Sequence, residues 1–178
     1  MYMEISVLGL TLIQSMGISL GVGASTLAIL NFFHAIADGQ IDETERNFMG
    51  VTYLVLRVAM GVILTTSLIL AFIGYSSIGS PYFTGYVTAQ TILTAVLFIN
   101  ALLMTMRIMP STFGPAIQAA TWYTLGFLLA LFAQGFSYVH MFVFLFAYAT
   151  FVFFAISFIN SVMAYLKEKR QETEGGIA

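Results

Sequence analysis

Five apolar runs, each long enough to cross a bilayer as a helix, constrain this chain more than any other feature. A hydrocarbon core about 30 Å thick needs about 20 largely apolar residues in helical form, and such runs fall at about 5–37, 47–74, 81–108, 115–134 and 138–166. Lipid tolerates only helices or closed barrels, because the backbone must satisfy its own polar groups. A barrel would show strands of about 10 residues parted by turns, and these runs are too long for that. From Phe136 to Tyr148 aromatics recur at nearly every second residue, a strand-like period. The unbroken apolar length of that run outweighs the period. The expected fold is an all-α integral membrane protein: one compact bundle of about five transmembrane helices over residues 1–166, with a charged, frayed tail at 167–178.

The breaks carry their own signals. Asp38-Gly39 ends the first helix, and Asp42 to Glu45 forms a D-x-x-E capping box that opens the second. Ser80-Pro81 places an N-cap and a first-turn proline at the start of the third span. Pro110 closes that span, Gly114-Pro115 opens the fourth, and Gln134-Gly135-Phe136 leaves only a tight turn before the fifth.

Orientation follows from the cations. Arg46, Arg107, Lys167, Lys169 and Arg170 all fall on one side of a five-span arrangement, which predicts an outside N-terminus and a cytoplasmic C-terminus. Met1-Tyr2-Met3-Glu4 lacks a basic n-region, so the first run reads as a retained span. With no organellar transit pattern, a bacterial or archaeal plasma membrane is the expected location.

Composition narrows the chemistry. Only 8% of residues are charged and the net charge is −2, which gives no basic stripe for nucleic acid. The chain has no cysteine, so disulfides, thiolate metal sites, iron–sulfur clusters and cysteine catalysis are excluded. No run carries an Asp or Glu for proton-coupled transport or a Lys for a retinal Schiff base, and there is no H-E-x-x-H motif. An enzyme is not expected.

Arg57 is the only charge well inside a run. Three placements are open to it: snorkelling to the headgroups, a structural hydrogen-bond hub, or a functional site. Phe98-Ile99-Asn100 and Phe158-Ile159-Asn160 echo one another, each Asn followed seven residues later by a cation, and Asn31 stands seven residues before Asp38. The echo is either a repeat of helical hairpins or a coincidence in Phe- and Ile-rich spans. Spans one, three and five run in the same direction. This predicts an inner polar layer of Asn31, Asn100, Asn160 and Arg57, with Gln118 at its rim, that binds or passes a small neutral or anionic solute. The plainer alternative is that each amide is interhelical glue, worth about 0.6 kcal/mol.

His34 and His140 are possible haem or metal contacts, but five spans put them on opposite faces, where interfacial anchoring suffices. Met104, Met106 and Met109, at i, i+2 and i+5, line no single helix face. The stretch Asp38 to Met49 resembles a calcium loop only superficially, with Glu43 where glycine is needed and Met49 where the bidentate Glu belongs. Gly17, Gly21 and Ser25 form a small-residue face for packing inside the bundle or against a second copy. Thr84, Thr88, Thr91 and Ala95 are either pore lining or a tolerated helix face. Trp122 reads as a headgroup-belt residue. The phenylalanines of span five suit lipid, or a groove for an apolar molecule. Besides solute passage, the sequence therefore allows a non-catalytic subunit that packs in a larger membrane complex, or holds a quinone, carotenoid or haem. No cofactor is required by any motif.

Overall fold

A computed structural model describes residues 2–38, 42–110, 113–136 and 138–175. Among these, every regular element is helical: α1 (Tyr2–Asp38), α2 (Glu43–Ile78), a 3-10 turn (Ser80–Tyr82), α3 (Gly85–Thr105), α4 (Phe113–Ala133) and α5 (Met141–Gly175). All five α-helices are long and apolar enough to cross a membrane, as the helices of a multi-pass membrane protein are.

The caps explain where the helices begin. Asp42 Oδ1 accepts from the Glu45 amide at 2.6 Å, and Glu45 Oε2 accepts from the Asp42 amide at 3.3 Å, the reciprocal box expected of D-x-x-E. The third span starts later than Ser80-Pro81 suggests. Gly79 turns the chain at φ +70°, Ser80–Tyr82 closes a separate 3-10 turn, and Thr84 caps α3 by accepting from the Val87 amide at 3.4 Å. Tyr82 packs directly on Gly74, which holds this turn against α2. The same span also ends earlier, at Thr105, because Arg107 takes φ +58° and the Ile108 and Met109 amides fold back onto the Leu103 carbonyl. Helix α5 runs on to Gly175, past the expected fraying point at 167; Lys, Glu and Gln are good helix formers and continue it. The Asp38-Gly39 break and the calcium-loop-like stretch run through residues 39–41, outside the described residues.

Helix α4 is the centre of the bundle, packing on α1, α3 and α5, while α1 and α2 form a long antiparallel pair. The core is Ile18, Ile63, Leu93, Leu97, Trp122 and Leu125, all fully buried. Trp122 is therefore no belt residue. Its six-membered ring lies over Gly21 of α1, where no Cβ could be accommodated. Gly17 similarly meets α2, where a Cβ would stand 2.9 Å from Val62 Cγ1, and Ser25 is buried. The small-residue face thus packs within one chain. It lets α1 approach both neighbours closely, the recurrent use of such faces in lipid.

Helices α3 and α4 have 21 residues each, about 31 Å of rise, and match a hydrocarbon core. Their two ends define the reference levels called here the edges of the apolar slab. The longer α1, α2 and α5 extend beyond it at the end where Arg46 and Arg107 lie, called here the cation-rich end.

Candidate functional site

Of the five residues expected to form one polar layer, the fold joins two. Asn100 of α3 is only 3% exposed. Its Nδ2 donates to the Gly114 carbonyl at 2.9 Å and to Gln118 Oε1 at 3.0 Å, and approaches Met104 Sδ at 3.6 Å. Gln118 Nε2 in turn donates to Met60 Sδ of α2 at 3.5 Å. Asn100 Oδ1 is buried with no donor facing it among the described residues, at a cost of about 1–3 kcal/mol for such a group. Beside the pair lies a cavity of about 40 Å³ lined by Ser25, Met104 and Gln118 among others.

The remaining three stand apart. Leu56, Ala59, Met60 and Ile63 form the buried face of α2, so Arg57 falls outside it, exposed and without a hydrogen bond or ion pair among the described residues. Its depth follows from register. Met60 meets Gln118, which lies five residues, about 7.5 Å, inside the start of α4; Arg57 is three residues, about 4.5 Å, nearer that edge. The guanidinium is thus about one side-chain length or less from the slab's edge, which is the snorkelling placement. Replacing Arg57 by leucine is expected to change stability by no more than about 0.5 kcal/mol, as for other outward-facing sites, measured by thermal unfolding in detergent. A loss of several kcal/mol would mean that Arg57 anchors the bundle after all.

Asn31 and Asn160 are half-buried, and no hydrogen bond joins either to the pair. The echo around the asparagines does not carry a common environment. In α3 the core takes Asn100 and leaves Ile99 outside, whereas in α5 the core takes Ile159, at 4% exposure, and leaves Phe158 outside. The Thr91 hydroxyl donates to its own helix at Val87 O, 2.8 Å, on an exposed face with Ala95, the tolerated-face arrangement.

A far roomier concavity than the one beside Asn100 and Gln118 lies elsewhere. A groove of about 970 Å³ opens sideways between α4 and α5, with Ser19 and Val22 of α1 at its floor. Space arises because Gly126 and Ala147 line it where larger residues would fill it. Tyr148 and Tyr123 present their rings to the groove while their hydroxyls pair with Thr121 at 2.7 Å and Thr26 at 2.8 Å, so little hydrogen-bonding capacity is left for a ligand along the walls. Polar groups gather at the mouth, where Tyr138 and His140 are exposed. From Met141, the first residue of α5, to Phe151 at the far end of the lining, the groove follows the helix for about 15 Å. In the most apolar 18 residues of α5 only 6% are buried, against 39% for α4, so one wall of the groove is a helix with most of its surface unpartnered.

His140 at the mouth and His34 near the cation-rich end stand at opposite ends of the bundle, both exposed, and cannot share a ligand. Among the described residues no three His, Cys, Asp or Glu side chains converge as a metal site. Sequence pointed to α5 through its aromatics. It gave no sign of the floor, because Ser19, Val22 and Gly126 become one surface only when α1 and α4 cross. The chain matches no protein-family model, no curated protein and no solved structure.

Proposed function

We propose that this protein is a non-catalytic plasma-membrane module, N-terminus outside and C-terminus cytoplasmic, that holds an isoprenoid of the quinone or carotenoid kind in the groove between α4 and α5. The observation that carries this reading is the groove itself: about 970 Å³, apolar along its length, with Tyr138 and His140 at one end. Ligand sites of this size are typically apolar with a few polar groups that fix orientation. A long apolar tail matches the walls, and a polar ring or end group matches the mouth. Orientation rests on the cation count at the ends of the spans. Solute passage around Arg57 has weaker support, since Arg57 faces outward and the cavity beside Asn100 and Gln118 is about 40 Å³.

The single tryptophan makes the test direct. Trp122 neighbours Tyr123, a groove residue, and quinones quench indole emission at short range. Titration of the detergent-solubilised protein with a short-chain prenyl quinone is expected to quench Trp122 saturably, or the purified protein is expected to carry a visible carotenoid band. Ala147→Phe, at an exposed lining position, fills the groove and is expected to abolish either signal with a stability change within about 0.5 kcal/mol. Quenching that rises linearly and is indifferent to Ala147→Phe, from a colourless protein, would refute the assignment.

A further inference from the structure

We propose that the groove between α4 and α5 selects a prenyl quinone over a carotenoid and holds it within one leaflet, a narrowing that rests on the isoprenoid reading of the groove. The place where the groove ends carries this. Helix α4 runs from Phe113 to Ala133, so Tyr123 is its middle residue. The groove's α4 lining runs from Tyr123 to Leu131, the half of the helix away from the cation-rich end. On α5 the lining stops at Phe151, about 15 Å into the helix and again about half the depth of the slab. Two hydroxyl pairs close that inner end. Tyr123 pairs with Thr26 of α1 at 2.8 Å, and Tyr148 of α5 pairs with Thr121 of α4 at 2.7 Å. Thr26 and Thr121 both lie nearer the cation-rich end than any groove residue of their own helices. The groove therefore stops near the midplane, where α1, α4 and α5 are tied together.

Length then selects the ligand. An extended chain advances about 3.6 Å per three bonds, so an isoprene unit, with four chain bonds, covers about 5 Å. About three units fill the groove along α5. A forty-carbon carotenoid is a stiff polyene of about 25 bonds end to end, about 30 Å on the same rise, and would run past the midplane into the two bridges. The polar groups point the same way. Tyr138 and His140 bring an O–H and an N–H donor to the mouth, where a quinone carbonyl can accept, whereas the Tyr123 and Tyr148 hydroxyls at the closed end are already paired. Gly126 and Ala147 stand at similar depth, about 10.5 and 9 Å from the outer ends of their helices, so the width they leave falls beside the second, methyl-branched unit of the tail.

The probe is a benzoquinone with three isoprene units that carries a photoreactive diazirine either beside the ring or on the third unit. The full-length protein in detergent is illuminated with each form, and labelled residues are mapped by peptide mass spectrometry. The ring-side form is expected to label Tyr138 to His140, and the tail-end form Tyr123 and residues 147–151. Excess unlabelled quinone is expected to suppress both sets of labels, and a forty-carbon carotenoid at the same concentration to leave them. Ala147→Phe is expected to abolish the tail-end labels, and the maps from the unsubstituted protein decide the matter even where that variant fails to fold. Tail-end labels at the mouth, or beyond Thr121 toward the cation-rich end, overturn the single-leaflet placement. Suppression by the carotenoid as strong as by the quinone overturns the selection. Either result leaves an isoprenoid in the groove. By contrast, labels that no isoprenoid suppresses, or that a straight-chain phospholipid suppresses equally well, overturn the isoprenoid reading itself and this assignment with it.

Discussion

Gly21→Ala is expected to lower the unfolding free energy by about 1–3 kcal/mol, the usual range for overpacking a tight interior, and to shift the emission of Trp122. The reason is geometric. The indole ring of Trp122, fully buried at the centre of the bundle, occupies the place that a Cβ at Gly21 would take. Trp122 cannot give way easily, since Ile18, Leu93 and Leu125 belong to the same buried core. Either α1 moves off α4, or the ring leaves its rotamer. The single-variant loss alone would not identify the contact, so the informative measurement is a double-mutant cycle with Trp122→Leu. Trp122→Leu alone removes a large buried ring and leaves a cavity, with a cost on the order of 2–5 kcal/mol. In the double variant the added methyl enters that cavity, and the two losses are expected to fall short of additivity by about 0.5–3 kcal/mol, as for directly contacting residues. Thermal unfolding in detergent, followed by circular dichroism so that loss of the tryptophan does not blind the probe, reads all four proteins. Strict additivity would show that the ring and the glycine do not meet.

The helices were legible because their signals are local: apolar length, the Asp42–Glu45 box, and the break at Gln134-Gly135 depend on neighbours in sequence. Their ends were less so. Ser80-Pro81 is a good helix start by its own chemistry, yet the contact of Tyr82 with Gly74, six to eight residues back along a different element, keeps that turn separate from α3. The candidate sites depended still more on non-local geometry. Depth along a span can be counted, but the direction of a side chain cannot when a helix is apolar all round, and every span here is. Asn31, Asn100, Asn160 and Arg57 were grouped by depth. Rotation about the helix axis then separated them, placing Asn100 inward, Arg57 outward and the other two at the margins. The same blindness put Trp122 at a headgroup belt, since tryptophan is amphipathic and its contact is a glycine 101 residues earlier. Met104 and Met109 were set apart by a helical spacing rule, which ceases to apply once Arg107 adopts a left-handed conformation and both side chains come to Gly114.

Gly85→Ala is expected to impair both stability and ligand retention, and it links the fold to the proposed groove. Gly85 is the first residue of α3, and a Cβ there would collide with the backbone carbonyl of Val139 in the connection between α4 and α5. Side chains can turn aside, but a carbonyl moves only with its chain. Val139 and His140 line the mouth of the groove, and the His140 carbonyl accepts the Phe144 amide at 3.0 Å in the first turn of α5. Displacing Val139 therefore carries the polar mouth and the start of α5 outward. The expected cost is about 1–3 kcal/mol in stability, together with about a tenfold weaker quinone affinity in the Trp122 quenching titration, equivalent to about 1.4 kcal/mol. Ala147→Phe blocks the groove at an exposed wall position and should abolish binding with little loss of stability, whereas Gly85→Ala should weaken both together. Should Gly85→Ala lower stability yet leave saturable quenching at its original affinity, the mouth formed by Val139 and His140 would be irrelevant to the ligand, and the polar end group would have to be held elsewhere along α5.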